Sequence, residues 1–137
     1  VAGKNRAMTV LIDTSAWIEF FRAAGSPAIK SQVADALAQD EAAYTCPVRF
    51  ELFIGARRSE LDALREGLSY ARPIPATPGH WDAAAEHGAK LRAKGATVPA
   101  SDLLIATIAA AEKLPLVACD KHFELIRKKV LPNLTLL

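Results

Sequence analysis

Two short apolar runs, Val10-Leu11-Ile12 and Leu116-Val117-Ala118-Cys119, each end on an aspartate, Asp13 and Asp120. Runs this short, and apolar throughout rather than alternating, read as strands buried on both faces, the kind found in parallel sheets. Helical spacing fills the chain between them. Met8 to Ile12 is the first predicted strand, and Asp13-Thr14-Ser15 offers cap chemistry for a helix through Trp17, Ile18, Phe20 and Phe21. Gly25-Ser26-Pro27 breaks it, and Pro27 suits the start of a helix over 28–39, where Ile29, Val33, Ala36 and Leu37 recur at helical spacing. A second strand is predicted over 42–45, helices over 47–55 and 59–69, and a short strand over 72–74 amid prolines. A helix follows from Thr77 or Pro78 to near Gly95, and another from about Ser101 to Lys113. Residues 116–119 form the fourth strand, Asp120 caps a helix to Lys129, and 135–137 offers a terminal strand. Strands alternating with helices imply an α/β fold with a mainly parallel sheet of four to five strands covered on both faces. Residues 8–137 are expected to form one domain.

The 51% hydrophobic content supplies one core, and the stretch from Leu103 to Ala111 is too short to span a bilayer. No basic region leads into a long apolar segment, so the expected location is cytoplasmic. Cys46 and Cys119 are too few and too far apart for a zinc cluster, and two buried free thiols are expected rather than a disulfide. The formal charge of +2 is not a nucleic-acid signature. Lys4 and Arg6 precede the sole methionine, Met8, and without them Lys+Arg falls from 17 to 15, equal to Asp+Glu at 15. Residues 1–7 are therefore expected to be a leader or an added segment. Contact with nucleic acid would have to come from local patches: Arg57-Arg58, the Lys90/Arg92/Lys94 group, or Lys121 through Lys129.

Four acids, Asp13, Glu51, Asp102 and Asp120, fall at one predicted edge of the sheet. Each has a plainer reading. Asp13 and Asp120 stand between strand and helix, where aspartate caps helices, and Asp102 in a first helical turn is favoured by the macrodipole. Glu51 is harder to explain this way, because its neighbours in Val48-Arg49-Phe50-Glu51-Leu52-Phe53-Ile54 are largely apolar and Arg49, two residues away, faces elsewhere. Ligands of open α/β sheets bind at the carboxyl ends of strands, and four carboxylates gathered there repel unless cations lie between them. That points to a divalent-metal site and phosphate-ester chemistry. His80 and His87, seven apart, share a helix face but lack a third ligand for zinc. His122, two residues past Asp120, is either near a scissile phosphate or a solvated surface histidine. Phosphate-loop, dinucleotide and nucleophile-elbow motifs do not occur. Ser15 and Ser101 read as helix-start residues that also hydrogen-bond carboxylates or water.

The run Val10-Leu11-Ile12-Asp13-Thr14-Ser15-Ala16-Trp17-Ile18 resembles the opening of PIN-domain ribonucleases, as does Phe50-Glu51-Leu52 followed by Gly55. Pro99-Ala100-Ser101-Asp102-Leu103-Leu104-Ile105-Ala106 resembles the family's third acidic motif, and Leu116 to Phe123 its fourth. The similarity runs from Met8 onward, and the short chain is most similar to VapC toxins of toxin–antitoxin pairs. The resemblance implies a three-layer α/β/α sandwich and an endoribonuclease using Mg²⁺ or Mn²⁺. It places Asp13, Glu51, Asp102 and Asp120 at the acidic positions, with Asp13 and Asp102 coordinating the metal directly and Glu51 and Asp120 binding metal or water. Thr14 or Ser15 matches the small hydroxyl residue after the first aspartate, and Arg57 and Lys121 are candidates to grip RNA phosphates. A VapB-like antitoxin and a homodimer are the implied partners. Cys119 departs from the Thr or Ser that many members carry before the fourth acid, and a thiol is the weaker hydrogen-bond partner. Two other readings stand beside this one: a PIN fold without activity that only binds RNA or protein, and a receiver-like or haloacid-dehalogenase-like phosphoryl-transfer protein. The latter needs acids near Asp13 where Thr14 and Ser15 stand.

Overall fold

The computed structural model describes residues 8–137, so the expected leader over 1–7 lies outside the described residues. Four strands, β1 (Val10–Ile12), β2 (Ala42–Thr45), β3 (Arg72–Ile74) and β4 (Leu116–Val117), form one parallel sheet in the order β3-β2-β1-β4. Val10 pairs with Ala42, Leu11 with Leu116, and Thr45 with Ile74. Among the described residues seven helices flank the sheet: α1 (Thr14–Phe21), α2 (Pro27–Ala38), α3 (Cys46–Gly55), α4 (Leu61–Ser69), α5 (Pro78–Ala93), α6 (Ala100–Ala111) and α7 (His122–Lys129). A 3-10 turn, Arg58–Glu60, leads into α4. The result is the expected α/β/α sandwich with a parallel sheet.

The sequence dictates these elements by ordinary means. The Asp13, Ser26 and Thr77 side chains accept backbone N–H bonds at the starts of α1, α2 and α5. Pro27 and Pro78 preset the first turns of α2 and α5. Strand β1 is buried at all three positions, as a central parallel strand must be. Helix α6 is buried continuously from Asp102 to Ala109, so its apolar residues surround it rather than forming one stripe. It packs against α5 and α7 and also touches α3. The chain moves from β1 outward to β2 and β3, then returns past β1 to β4. The carboxyl ends of β1 and β4 therefore flank the point where strand order reverses, which is where such sheets bind ligands.

Several expectations are corrected. Strand β4 ends at Val117 rather than Cys119, because the Cys119 N–H turns away to Ser15 Oγ at 2.9 Å. The expected terminal strand reduces to an isolated bridge between Leu116 and Leu136, held by bonds on either side of Leu116. Both free cysteines are exposed, not buried. Cys46 opens α3 and Cys119 follows β4, beyond strand ends where the chain faces solvent. On α1, Trp17 is fully buried and stacks on Phe21 at 5.9 Å. Trp81 on α5 is 57% exposed.

Candidate metal centre

Asp13 leaves β1 in extended conformation and caps α1, its Oδ2 accepting from Ser15 N at 3.0 Å and Ser15 Oγ at 2.7 Å. The cap reading is thus realised. The same hydroxyl oxygen accepts from Cys119 N, tying the end of β1 to the segment after β4. Asp13 is buried, and burial raises its pKa, opposed by the bonds from Ser15 and Thr14 and reinforced by the Glu51 charge.

Glu51 on α3 has both oxygens occupied. Thr14 Oγ1 donates to Oε1 at 2.6 Å and Ser101 Oγ to Oε2 at 2.9 Å. One carboxylate therefore joins α1, α3 and α6, and the half-buried acid that apolar neighbours left unexplained is satisfied by two hydroxyls far away in sequence. Arg49 takes no part, lying over the Phe53 ring at 4.5 Å.

Asp102 lies in the first turn of α6 and is 9% exposed. Burial, then the Asp13 charge, push its pKa up to about 6; the hydrogen bond from His122 works against them and the Asp120 charge adds to them. Asp120 does not cap α7, whose cap position falls at Lys121. Its Oδ1 instead accepts from His122 N at 2.9 Å. His122 Nδ1 lies 2.8 Å from Asp120 Oδ1 and 2.9 Å from Asp102 Oδ2. Ligand atoms of Asp102, Asp120 and His122 all lie within 4.8 Å of one another.

The structure thus gathers Asp13, Asp102 and Asp120 beside the reversal point and suspends Glu51 beside them through Thr14 and Ser101. These donors suit a hard divalent ion, since they are carboxylate oxygens, and burial followed by the charges of Asp13 and Asp120 already favours a proton on Asp102. Arg57 and Lys121 are exposed, Lys121 directly beside Asp120 and Arg57 at the 3-10 turn, with its N–H bonded to Glu60. His80 is buried and structural, with Nδ1 accepting from Thr77 N at 3.0 Å and Nε2 3.1 Å from Glu112. His122 is the residue that sequence reasoning left undecided. Its only signal there was its place two residues past an aspartate. Beside α3, an apolar groove of about 550 Å³ is lined by Tyr44, Arg49, Phe50, Phe53, Ile74 and Pro75 among others.

A family model described as PIN domain matches residues 10–129. Among solved structures, VapBC2 from Rickettsia felis, bound to a DNA fragment from its promoter, aligns with TM-score 0.75 at 23% identity over 95% of this chain and 98% of that one. DNA-bound VapBC from Salmonella typhimurium aligns at 0.76 and 17%, over 96% and 98%. VapBC-5 from Mycobacterium tuberculosis, of the VapBC family of toxin-antitoxin systems, aligns at 0.67 and 22%, over 96% and 98%. These likenesses are of fold. Among curated protein sequences none matches this chain.

Proposed function

The chain belongs to the PIN domain family, and from that premise we propose that it is a metal-dependent endoribonuclease acting as the toxin of a VapBC-type toxin–antitoxin pair. The observation that carries the reading is that ligand atoms of Asp102, Asp120 and His122 lie within 4.8 Å of one another at the reversal point of a parallel sheet, with Asp102 buried and the Asp13 charge acting on it. Asp13, Asp102, Asp120 and Glu51 would hold Mg²⁺ or Mn²⁺. When bound, such an ion supplies charge neutralisation for a phosphodiester and acidifies a water for attack on it. Glu51, fixed by Thr14 and Ser101, and Asp120, fixed by the His122 N–H, keep carboxylate oxygens in set positions to take up the proton that water loses. No protein nucleophile is required, and the hydroxyls of Ser15 and Ser101 are already committed to Asp13 and Glu51. Arg57 and Lys121 would grip phosphates without reading bases. Single-stranded or loop RNA is the expected substrate, because its backbone can bend into the site.

An antitoxin is the proposed partner. Exposed Phe50 and Ile54 on α3, the helix that carries Glu51, support a covering protein at that side of the site. A homodimer and a cytoplasmic location complete the reading, and no helix among the described residues is long and apolar enough to cross a membrane. The test is incubation of purified protein with a mixed RNA pool in Mg²⁺, Mn²⁺ or EDTA, beside Asp13→Ala. Cleavage should require metal and fall more than about 100-fold in the variant, beyond the loss typical of residues that merely support a ligand. Cleavage by both proteins alike, or in EDTA, would refute the proposal. RNA binding without cleavage would favour the inactive binding fold.

A further inference from the structure

The His122 ring stands where the acidic motifs alone would put nothing. Its Nδ1 faces Asp102 Oδ2 at 2.9 Å and Asp120 Oδ1 at 2.8 Å, and its own N–H is anchored to Asp120. Neighbouring ligands of an octahedral ion with bonds of about 2.1 Å lie about 3 Å apart. The two nitrogen–oxygen separations therefore already match edges of such an octahedron. An ion between the three atoms would take the place of a proton bridging them, with little movement of α6 or α7, which pack together. His80 is engaged with Thr77 and Glu112, and His87, midway along α5, has Glu86 and Lys90 as its charged neighbours.

We propose that His122 is a ligand of the metal bound by this site, through Nδ1, and that it makes the site prefer Mn²⁺ over Mg²⁺. The inference rests on the metal-binding reading above and deepens it. Carboxylate and water oxygens suit Mg²⁺ and Mn²⁺ alike, so they do not choose between the two, whereas an added imidazole nitrogen favours a first-row transition ion over the harder Mg²⁺. A histidine serving only to orient the two aspartates would weaken both ions alike.

The test uses Mn²⁺ as probe on the full chain. Pulsed electron paramagnetic resonance should show ¹⁴N coupling to bound Mn²⁺ in the wild type and none in His122→Asn. Calorimetric titration should show Mn²⁺ affinity falling about tenfold or more in that variant, with Mg²⁺ affinity changing much less. Bound Mn²⁺ without nitrogen coupling in the wild type, coupling that persists in His122→Asn, or an equal loss for both ions would overturn the proposal while leaving the metal site standing. Absence of Mn²⁺ binding in the wild type, or binding that Asp102→Asn leaves unchanged, would overturn the metal reading and this proposal together. The wild-type spectrum tests nitrogen ligation, and the wild-type affinities for Mn²⁺ and Mg²⁺ test the preference, even if a variant folds poorly.

Discussion

Asp102 is held in the folded protein with a pKa of about 6 against an ordinary 3.8, chiefly by burial and then by Asp13. Below about pH 4 the carboxyl is protonated in folded and unfolded chains alike and contributes nothing. Between pH 4 and 6 the folded protein retains a proton that the unfolded chain has lost, so this group lowers stability as pH rises. Above pH 6 the full cost, on the order of 3 kcal/mol, is present. The metal-free protein should therefore melt progressively lower than Asp102→Asn as pH rises from 4 to 6, in calorimetry across that range. A difference independent of pH would contradict this account. At the same scale, the four acids were legible because each borders an apolar run or sits within one: Asp13 and Asp120 end runs, Asp102 opens one, and Glu51 lies inside one. The bonds that hold them were not. Thr14 and Ser101 reach Glu51 from positions 37 and 50 residues away, and His122 meets Asp102 across 20, contacts set by helix packing rather than by local pattern.

Three helices end alike. After α2, α5 and α6 a residue with positive φ (Asp40 at 60°, Gly95 at 83° and Lys113 at 57°) is followed by an N–H bonded back to the helix, Glu41 to Ala36, Ala96 to Leu91 and Leu114 to Ala109. This is the Schellman ending, which glycine serves without strain. Only α5 uses glycine. Asp40→Gly and Lys113→Gly should each stabilise the protein by about 0.5–1 kcal/mol and raise its melting temperature by about 2–4 °C, measured by thermal denaturation. A lower melting temperature would show that the loss of Asp40 or Lys113 side-chain contacts outweighs the relief. Helix starts were legible from Asp13, Ser26-Pro27 and Thr77-Pro78, since cap chemistry is local. Strand ends were less so. Nothing in Leu116 to Cys119 tells that the Cys119 N–H belongs to Ser15 and not to the sheet, and the exposure of Cys119 follows from that early departure, while Cys46 is exposed at the first turn of α3.

For the whole molecule, the order β3-β2-β1-β4 is what brings residues 13 and 120 to one place, and α6 delivers Asp102 between them. The parallel sheet and its helical layers were legible from alternation alone, and the solved VapBC structures share this fold at 17–23% identity, so the architecture tolerates extensive sequence change. The central claim is that the gathered carboxylates form a cation site rather than a set of helix-start residues. The most direct test is to melt wild type and Asp102→Asn in EDTA and in saturating Mn²⁺. The cation site predicts that the variant is the more stable in EDTA, by a few degrees, because one repelling charge is gone. It also predicts that Mn²⁺ stabilises the wild type by mass action and the variant little or not at all. A variant that melts lower in EDTA, together with a wild type indifferent to Mn²⁺, would contradict the claim and return Asp102 to a helix-start role.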